Sequence, residues 1–126
     1  MRVEVYRNLH KQCLSVKALK GENKGRVIDR PKECIIRDAK FVVQPAGREK
    51  VIREQRKNVH AFVRGERVDS AKCGKSKGPE LISYNPYKAG YFRREDGSRV
   101  DGADLVVIRA LEGRKSEMLA HGTYSD

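Results

Sequence analysis

The stretch Asn58-Val59-His60-Ala61-Phe62-Val63-Arg64 alternates small aliphatic residues with polar or aromatic ones. The aliphatic residues fall on one side of an extended backbone, while His60 and Phe62 fall on the other. A period of two residues is typical of a β-strand that has one face against the core. The stretch therefore predicts a strand with an aliphatic face and a mixed face of rings and polar groups.

Similar alternation, or short aliphatic runs, recurs on both sides of this stretch. Further strands are predicted around residues 3–5, 14–16, 26–28, 34–36, 41–43, 81–84, 91–93, 99–100 and 105–108. The first two are expected to form a hairpin, and either a tight reversal or a β-bulge is expected between residues 36 and 41. The unbroken run at 105–108 predicts a strand buried on both faces. The chain is thus dominated by extended segments.

One helix is expected from Ala46 to about Lys57, because Pro45 suits a first helical turn. Residues 65–78 show no period and indicate a loop. The predicted fold class is α+β, mainly antiparallel β-sheet with about eight short strands and one main helix near 46–57. The sequence also allows this sheet to roll into a partial barrel. Residues 1–109 are expected to form a single compact basic domain. Residues 110–126 are expected to be a loosely held C-terminal extension, with a helical turn considered at 117–119.

The composition allows one small core and a strongly basic surface. The chain has 126 residues, with 28 Lys and Arg against 17 Asp and Glu, for a formal charge of +11. No apolar run is long enough to span a bilayer, so no membrane partner is expected. The cysteines at 13, 34 and 73 form no close pair, which predicts structural thiols in a reducing cytoplasm. Phosphate-bearing partners benefit most from such a charge.

Common catalytic motifs are missing from the sequence. Gly74-Lys75-Ser76 resembles the end of a phosphate-binding P-loop, but Asp69 stands where that loop needs its first glycine. HExxH and paired CxxC are also absent. We therefore expect no metal and no cofactor, and an enzyme is the less favoured interpretation.

Three clusters combine cations, rings and amides, which suits a nucleotide. Cations pair with phosphate, aromatic faces stack on a base, and amides bond to base edges. Helix residues Arg48 and Arg53 add charge. The predicted ligand-binding residues are Tyr6, Arg7, Asn8, His10, Lys11, Arg48, Arg53, Lys57, Asn58, His60, Tyr84, Asn85 and Tyr87.

Other interpretations of these clusters stay open. Tyr6 and Phe62 could simply pack in the core, and Asn85 could hydrogen-bond within its own turn. A nucleic-acid-binding protein would use the basic helix and the lysine loop at 72–78. A metal-free nuclease or phosphodiesterase would use His10 and His60 as acid and base. A homo-oligomer formed through sheet edges is also open.

Four segments together resemble a group of small proteins from tailed bacteriophages. They are Val5-Tyr6-Arg7-Asn8-Leu9-His10-Lys11, Val43-Gln44-Pro45-Ala46-Gly47-Arg48, Arg56-Lys57-Asn58-Val59-His60-Ala61-Phe62-Val63 and Tyr84-Asn85-Pro86-Tyr87. The resemblance covers residues 3 to 108 and implies an accessory protein in the cytoplasm of an infected bacterium. By analogy of setting, it implies an inhibitor of host defence, such as a sponge that sequesters a nucleotide signal.

Overall fold

The computed structural model describes residues 1–8, 13–55, 59–69, 79–111 and 116–125. These ranges contain ten strands and one helix. In chain order they are β1 Arg2–Asn8, β2 Cys13–Ala18, β3 Val27–Asp29, β4 Glu33–Val43, α1 Pro45–Glu54, β5 Ala61–Val68, β6 Glu80–Ile82, β7 Phe92–Arg93, β8 Arg99–Val100, β9 Gly102–Ala110 and β10 Ser116–Tyr124.

Eight strands form one antiparallel sheet in the order β3-β2-β1-β5-β4-β9-β10-β6, and β7 pairs with β8 in a separate ribbon. Ser83 and Arg93 exchange two backbone hydrogen bonds of 3.0 and 2.9 Å, which join the ribbon to the end of β6. The prediction of a mainly antiparallel sheet with one helix is confirmed. The sheet has two edges, β3 and β6, and is not closed into a barrel.

One face of the sheet carries the core. Val5 pairs with both Val16 and Val63, so these three side chains project from the same face of the first strands. The sheet also curls over this face, because Arg67 of β5 reaches Asp29 of β3 at 2.8 Å although two strands lie between them. Core residues that are at most 1% exposed are Val3, Leu14, Val16, Ala18, Ile36, Ala39, Val100, Ala103, Val106 and Ala120.

The segments expected at 34–36 and 41–43 form one long strand, β4, interrupted by a bulge. The register shifts between Arg37 and Lys40, where Asp38 takes a φ of 52°. Gly65 of β5 sits beside this bulge, and a Cβ there would lie 2.7 Å from the carbonyl oxygen of Arg37. Of the two predicted possibilities, the bulge is correct and the tight reversal is wrong.

Three segments differ from the sequence-based predictions. β5 continues to Val68, so residues 65–68 are strand rather than loop. The segment expected as a loose extension contains β10, which pairs with β9 from Ser116 to Tyr124, and the proposed helical turn at 117–119 is wrong. The helix ends at Glu54, followed by Gln55 in a left-handed conformation at φ 53°. Its expected end at Lys57 lies outside the described residues.

The structure also bears on the predictions made for membrane spans and for the cysteines. In the part of the chain that the structure describes, no helix is long and apolar enough to cross a membrane. Cys13 and Cys34 are buried free thiols, and burial raises the pKa of Cys34 above its usual range. Cys73 lies outside the described residues. The two described cysteines therefore pack as small apolar side chains.

Candidate functional site

The start of helix α1 is tied directly to the start of β5. The backbone N–H of Gln44 donates to the carbonyl oxygen of His60 at 2.7 Å, and Pro45 then begins the helix. Gly47, in the first turn, lies so close to His60 that a Cβ there would be 2.6 Å from the His60 Cβ. The absence of a side chain at Gly47 therefore allows the helix to contact His60 closely.

His60 is held by Tyr84, which follows β6. Nε2 of His60 and the Tyr84 hydroxyl share a hydrogen bond of 2.7 Å, and the two rings meet edge to face with centroids 5.4 Å apart. His60 is only 6% exposed. The imidazole is thus a buried structural partner of the phenol, rather than an accessible acid or base at the surface.

An aromatic row connects this pair to the core. The ring of Tyr84 stacks on Phe92 at 5.1 Å, and Phe92 stacks on Phe41 at 5.0 Å. Phe41 pairs with Val63 on the core face of the sheet. Tyr84 is therefore positioned by a continuous row of rings that begins inside the core, which fixes the turn that follows it.

Arg48 extends from α1 to that turn. Its Nε donates to the Pro86 carbonyl oxygen at 2.9 Å, and its Nη1 lies 3.5 Å from the point where a Cβ on Gly90 would stand. The guanidinium is therefore held in one orientation, against a position that carries no side chain. A fixed planar guanidinium is suited to pairing with a carboxylate or a phosphate.

The turn after Tyr84 is shaped by Asn85 and presents Tyr87 to solvent. The side-chain oxygen of Asn85 accepts from the backbone N–H of Tyr87 at 2.9 Å, and its carbonyl accepts from Lys88 and Ala89. Asn85 thus bonds within its own turn. Tyr87 is 61% exposed. We use the name Arg48 corner for Arg48, His60, Tyr84, Tyr87 and Gly90.

The electrostatics of the Arg48 corner follow from burial and from one cation. Partial burial raises the pKa of the Tyr84 hydroxyl above its usual range, and the nearby charge of Arg48 offsets part of that rise. The first turn of α1 carries no acidic residue, so the positive end of the helix dipole is not neutralised next to Arg48. The charge of Arg48 and the helix end without acidic residues both favour an anion beside the guanidinium.

Tyr6 and Arg7, from the first predicted cluster, contact other parts of the chain. Tyr6 lies on the face of the sheet opposite Val5, and its ring meets Phe62 edge to face at 6.3 Å. Arg7 follows on the other face, and its Nη2 donates to the Leu111 carbonyl at 3.2 Å. Alternation along the strand therefore separates these neighbours, and Tyr6 packs against Phe62.

Arg53 also points away from Arg48. Residues five positions apart on an α-helix are separated by about 140° around its axis, and Arg53 is exposed in the last turn.

Four further predicted ligand residues lie outside the described residues: His10, Lys11, Lys57 and Asn58. Asn8 is the last residue of β1. The structure therefore brings together Arg48, His60, Tyr84, Asn85 and Tyr87 from the predicted set.

Sequence reasoning missed the residues that make this convergence possible. Gly47 makes room for His60, Gly90 makes room for Arg48, Gln44 links the helix to His60, and Phe92 supports Tyr84. Pro45 immediately after a strand was a usable signal for a helix start. No signal within the sequence relates residues 44–48 to residues 84–92, because their proximity depends on long-range strand order.

A metal centre is not evident at this corner. Among the residues that the structure describes, no group of three or more His, Cys, Asp or Glu side chains is arranged to hold an ion. The chemistry offered by the Arg48 corner is therefore that of a guanidinium, an exposed phenol ring and backbone groups. These groups bind anions and planar rings.

The fold and this corner define a small protein built on an open antiparallel sheet, with one helix that presents an arginine to a tight turn. A family model described as "Mycobacterium phage L5 gene 82 protein" matches residues 1–115. The Gene 82 protein of Mycobacterium phage L5 is 45% identical over 115 residues, covering 86% of this chain and 90% of that protein. The chain belongs to this family, which confirms the predicted resemblance to bacteriophage proteins. No solved structure matches the chain.

Proposed function

We propose that this protein binds a small phosphate-bearing nucleotide at the Arg48 corner and holds it without chemical change. The observation that supports this most directly is the hydrogen bond from Arg48 Nε to the Pro86 carbonyl, 2.9 Å long. It holds the guanidinium of α1 against the residue that precedes the exposed Tyr87, and next to Gly90, which has no side chain. A cation and an exposed ring on adjoining segments match a phosphate and a base.

The energetics of phosphate capture favour a fixed arginine. A hydrogen bond to a charged group contributes about 1.5–3 kcal/mol, and a guanidinium that is already oriented loses less side-chain entropy on binding. Lys88, exposed in the same turn, adds a second positive charge near the site. The overall charge of +11 attracts anions from a distance.

Tyr87 is the residue that would recognise the base. Its ring is 61% exposed, although burial of a large aromatic residue is normally favourable. Stacking of a base on an aromatic ring contributes about 1–3 kcal/mol. The Asn85 side chain stiffens the turn, so the Tyr87 ring projects from an ordered turn rather than from a flexible loop.

His60 and Tyr84 would lie beneath the ligand-binding surface of the Arg48 corner and act as positioning residues. His60 is bonded through Nε2 to Tyr84 and is shielded from solvent, so it supports the turn and does not reach a ligand. We therefore do not propose a nuclease or phosphodiesterase that relies on His60. Binding alone accounts for every group at the corner.

Membership of a phage family suggests where such binding would matter. A phage protein acts in an infected bacterium, where cyclic nucleotides and ADP-ribose-type molecules serve as signals. We propose that capture of such a signal lowers its free concentration and so weakens a host response. This role requires tight binding in a fixed ratio to the protein and requires no turnover.

Isothermal titration calorimetry tests the binding. Purified protein is titrated with ADP-ribose, cyclic di-AMP and AMP, and heat-denatured protein is examined by mass spectrometry for a co-purified nucleotide. We expect one probe to bind with fixed stoichiometry. Arg48→Gln should weaken it roughly 10- to 100-fold, the loss of one charged hydrogen bond.

The matched control is Lys50→Gln, which removes one positive charge from an exposed position on another side of the same helix. It should change affinity less than about 3-fold, as expected when only long-range attraction is reduced. Equal weakening by Lys50→Gln and Arg48→Gln would show that net charge, not the Arg48 corner, is responsible. Failure of all three probes to bind at 1 mM, with no nucleotide released by heat, would end the proposal.

A further inference from the structure

The hairpin between β2 and β3 is a second basic surface, separate from the Arg48 corner. Residues 17–32 contain six basic side chains against two acids, Glu22 and Asp29. Asp29 is already paired with Arg67 at 2.8 Å. Residues 20–26 are all exposed, so the positive charge of this hairpin faces solvent. The basic residues are Lys17, Lys20, Lys24, Arg26, Arg30 and Lys32.

The tip of the hairpin is an ordered structure rather than a loose loop. The backbone N–H of Gly25 donates to the Ala18 carbonyl at 2.8 Å, and Ala18 donates in return to Arg26 at 3.0 Å. Lys24 donates to the Gly21 carbonyl at 3.2 Å. Gly21 and Gly25 both take a φ of 84°, which turns the chain tightly at no steric cost. The cations are therefore carried on a defined scaffold.

The position of the hairpin leaves one side of it open. β3 is the edge of the sheet in the described topology, and β2 is its only strand partner there. β2 also pairs with β1, so only the β3 edge and the exposed turn at residues 20–26 are available to a partner. Double-stranded DNA carries one negative charge per about 1.7 Å of helix axis, and Lys and Arg side chains neutralise its phosphates. The exposed cations of the hairpin therefore match the phosphate backbone of a nucleic-acid duplex.

We propose that the β2–β3 hairpin binds the phosphate backbone of double-stranded DNA without sequence preference, through Lys20, Lys24, Arg26 and Arg30. This surface does not depend on nucleotide binding at the Arg48 corner. The competing explanation is that the charges only protect an exposed sheet edge from pairing with other chains. The two explanations differ because edge protection requires no affinity for DNA.

Fluorescence anisotropy with a labelled 30-base-pair duplex provides the test, in salt from 25 to 300 mM. Four phosphate contacts should give a slope of about −3.6 for log K against log salt. The variant Lys24→Gln/Arg26→Gln should lower the slope to about −1.8 and weaken binding at least 10-fold at 50 mM salt. Single-stranded DNA of the same length should bind more weakly than the duplex.

The matched control is Arg37→Gln/Lys40→Gln, which removes the same charge from exposed positions on β4. It should keep the original slope and change affinity less than 3-fold. Circular dichroism and thermal unfolding confirm that each variant is folded. Equal losses in both variants, a preference for single strands, or no binding at 25 mM salt would each overturn the proposal. The hairpin variant should bind nucleotides in calorimetry with the same affinity as the parent. A loss of DNA binding would then be independent of the proposed function.

Discussion

Nε2 of His60 and the hydroxyl oxygen of Tyr84 lie 2.7 Å apart, and this hydrogen bond joins the start of β5 to the turn that follows β6. Either group can donate, depending on the tautomer of the imidazole. His60 is almost fully shielded from solvent, so its nitrogen has no ready access to water if the phenol oxygen is removed. The bond therefore stabilises the folded chain mainly because breaking it would leave a buried polar group without a hydrogen-bond partner.

Replacing Tyr84 by phenylalanine isolates that contribution. Tyr84→Phe keeps the ring that stacks on Phe92 but removes the oxygen that bonds His60. We expect the free energy of unfolding to fall by about 1–3 kcal/mol, the cost of one buried unsatisfied group. Urea denaturation at pH 7 measures the change. Tyr87→Phe, which removes an exposed hydroxyl, should stay within about 0.5 kcal/mol of the parent. Equal effects in the two variants would contradict the role of the bond.

The raised pKa of Tyr84 predicts a loss of stability at alkaline pH. Burial raises the pKa in the folded chain above the usual value of 10.0, so the folded state favours the neutral phenol. This contribution is fully present below the unfolded pKa and is lost as pH rises through the folded pKa. The free energy of unfolding should therefore fall more steeply above pH 10 in the parent than in Tyr84→Phe. Cys34 is common to both proteins, so its titration cancels in the difference. A constant difference from pH 8 to pH 11.5 would contradict the prediction.

Local patterns predicted most strands but not their partners. The alternation in β1, β2 and β5 and the aliphatic run in β9 reflect burial of one face or both, which is a property of neighbouring residues. The stack of Phe41, Phe92 and Tyr84 depends on which distant strands become neighbours. β10 escaped detection because its core-facing side includes only Met118 and Ala120 before Gly122 interrupts the pattern.

The candidate site was predictable in its residue types and only partly in its geometry. A cation and two rings suit a nucleotide, so the sequence predicts Arg48, Tyr84 and Tyr87, and the structure places Arg48 against the turn that follows Tyr84. Tyr6 and Arg7 are adjacent in the sequence, but neighbours on a strand face opposite sides. The charge of the β2–β3 hairpin is visible in the sequence, but the local pattern does not show that β3 lies at the edge of the sheet.

Gly47 is expected to be essential for the contact between α1 and His60. Gly47→Ala should gain about 0.5–1 kcal/mol of helix propensity, but its Cβ would stand 2.6 Å from the His60 Cβ. Overpacking of this kind costs about 1–3 kcal/mol, so we expect a net loss of stability of about 1 kcal/mol or more. Gly90→Ala is the control, because the nearest atoms to its Cβ would be those of the Arg48 side chain, at ordinary contact distances of 3.5–3.6 Å. Thermal unfolding should rank Gly47→Ala well below Gly90→Ala, and the opposite ranking would disprove the close contact.

Gly65 is expected to be required by the bulge in β4. A Cβ at this position would meet the Arg37 carbonyl oxygen and the Ile36 Cγ2 at 2.7 Å, and a backbone oxygen cannot rotate away. We expect Gly65→Ala to lower the free energy of unfolding by about 2 kcal/mol or more. Gly97→Ala, with a φ of 86° but open space around it, should lose only about 1 kcal/mol from backbone strain. Denaturation midpoints compare the two variants, provided that their unfolding curves have equal slopes. If Gly65→Ala left the free energy of unfolding unchanged, the bulge would not confine this position.

The ion pair between Asp29 and Arg67 should make folding sensitive to acid. The Arg67 guanidinium, 2.8 Å away, holds the pKa of the Asp29 carboxyl below its usual value of 3.8. A lowered folded pKa contributes stability above the unfolded pKa, and this is lost as pH falls through the folded pKa. Asp29 is 48% exposed, so water screens the pair and the loss should be less than about 1 kcal/mol.

Asp29→Asn and Arg67→Gln should each flatten the decline in the free energy of unfolding between pH 5 and pH 2.5, because either change removes the charged pair. Asp69→Asn, at an exposed position just after β5, should leave the decline unchanged. Urea denaturation at half-unit pH intervals measures the three curves against the parent. If Asp29→Asn flattens the curve but Arg67→Gln does not, the carboxylate is stabilised by its backbone bond to Arg30 instead of by the contact that closes β3 over the core face. That result would remove the ion pair as a cause of the curl of the sheet.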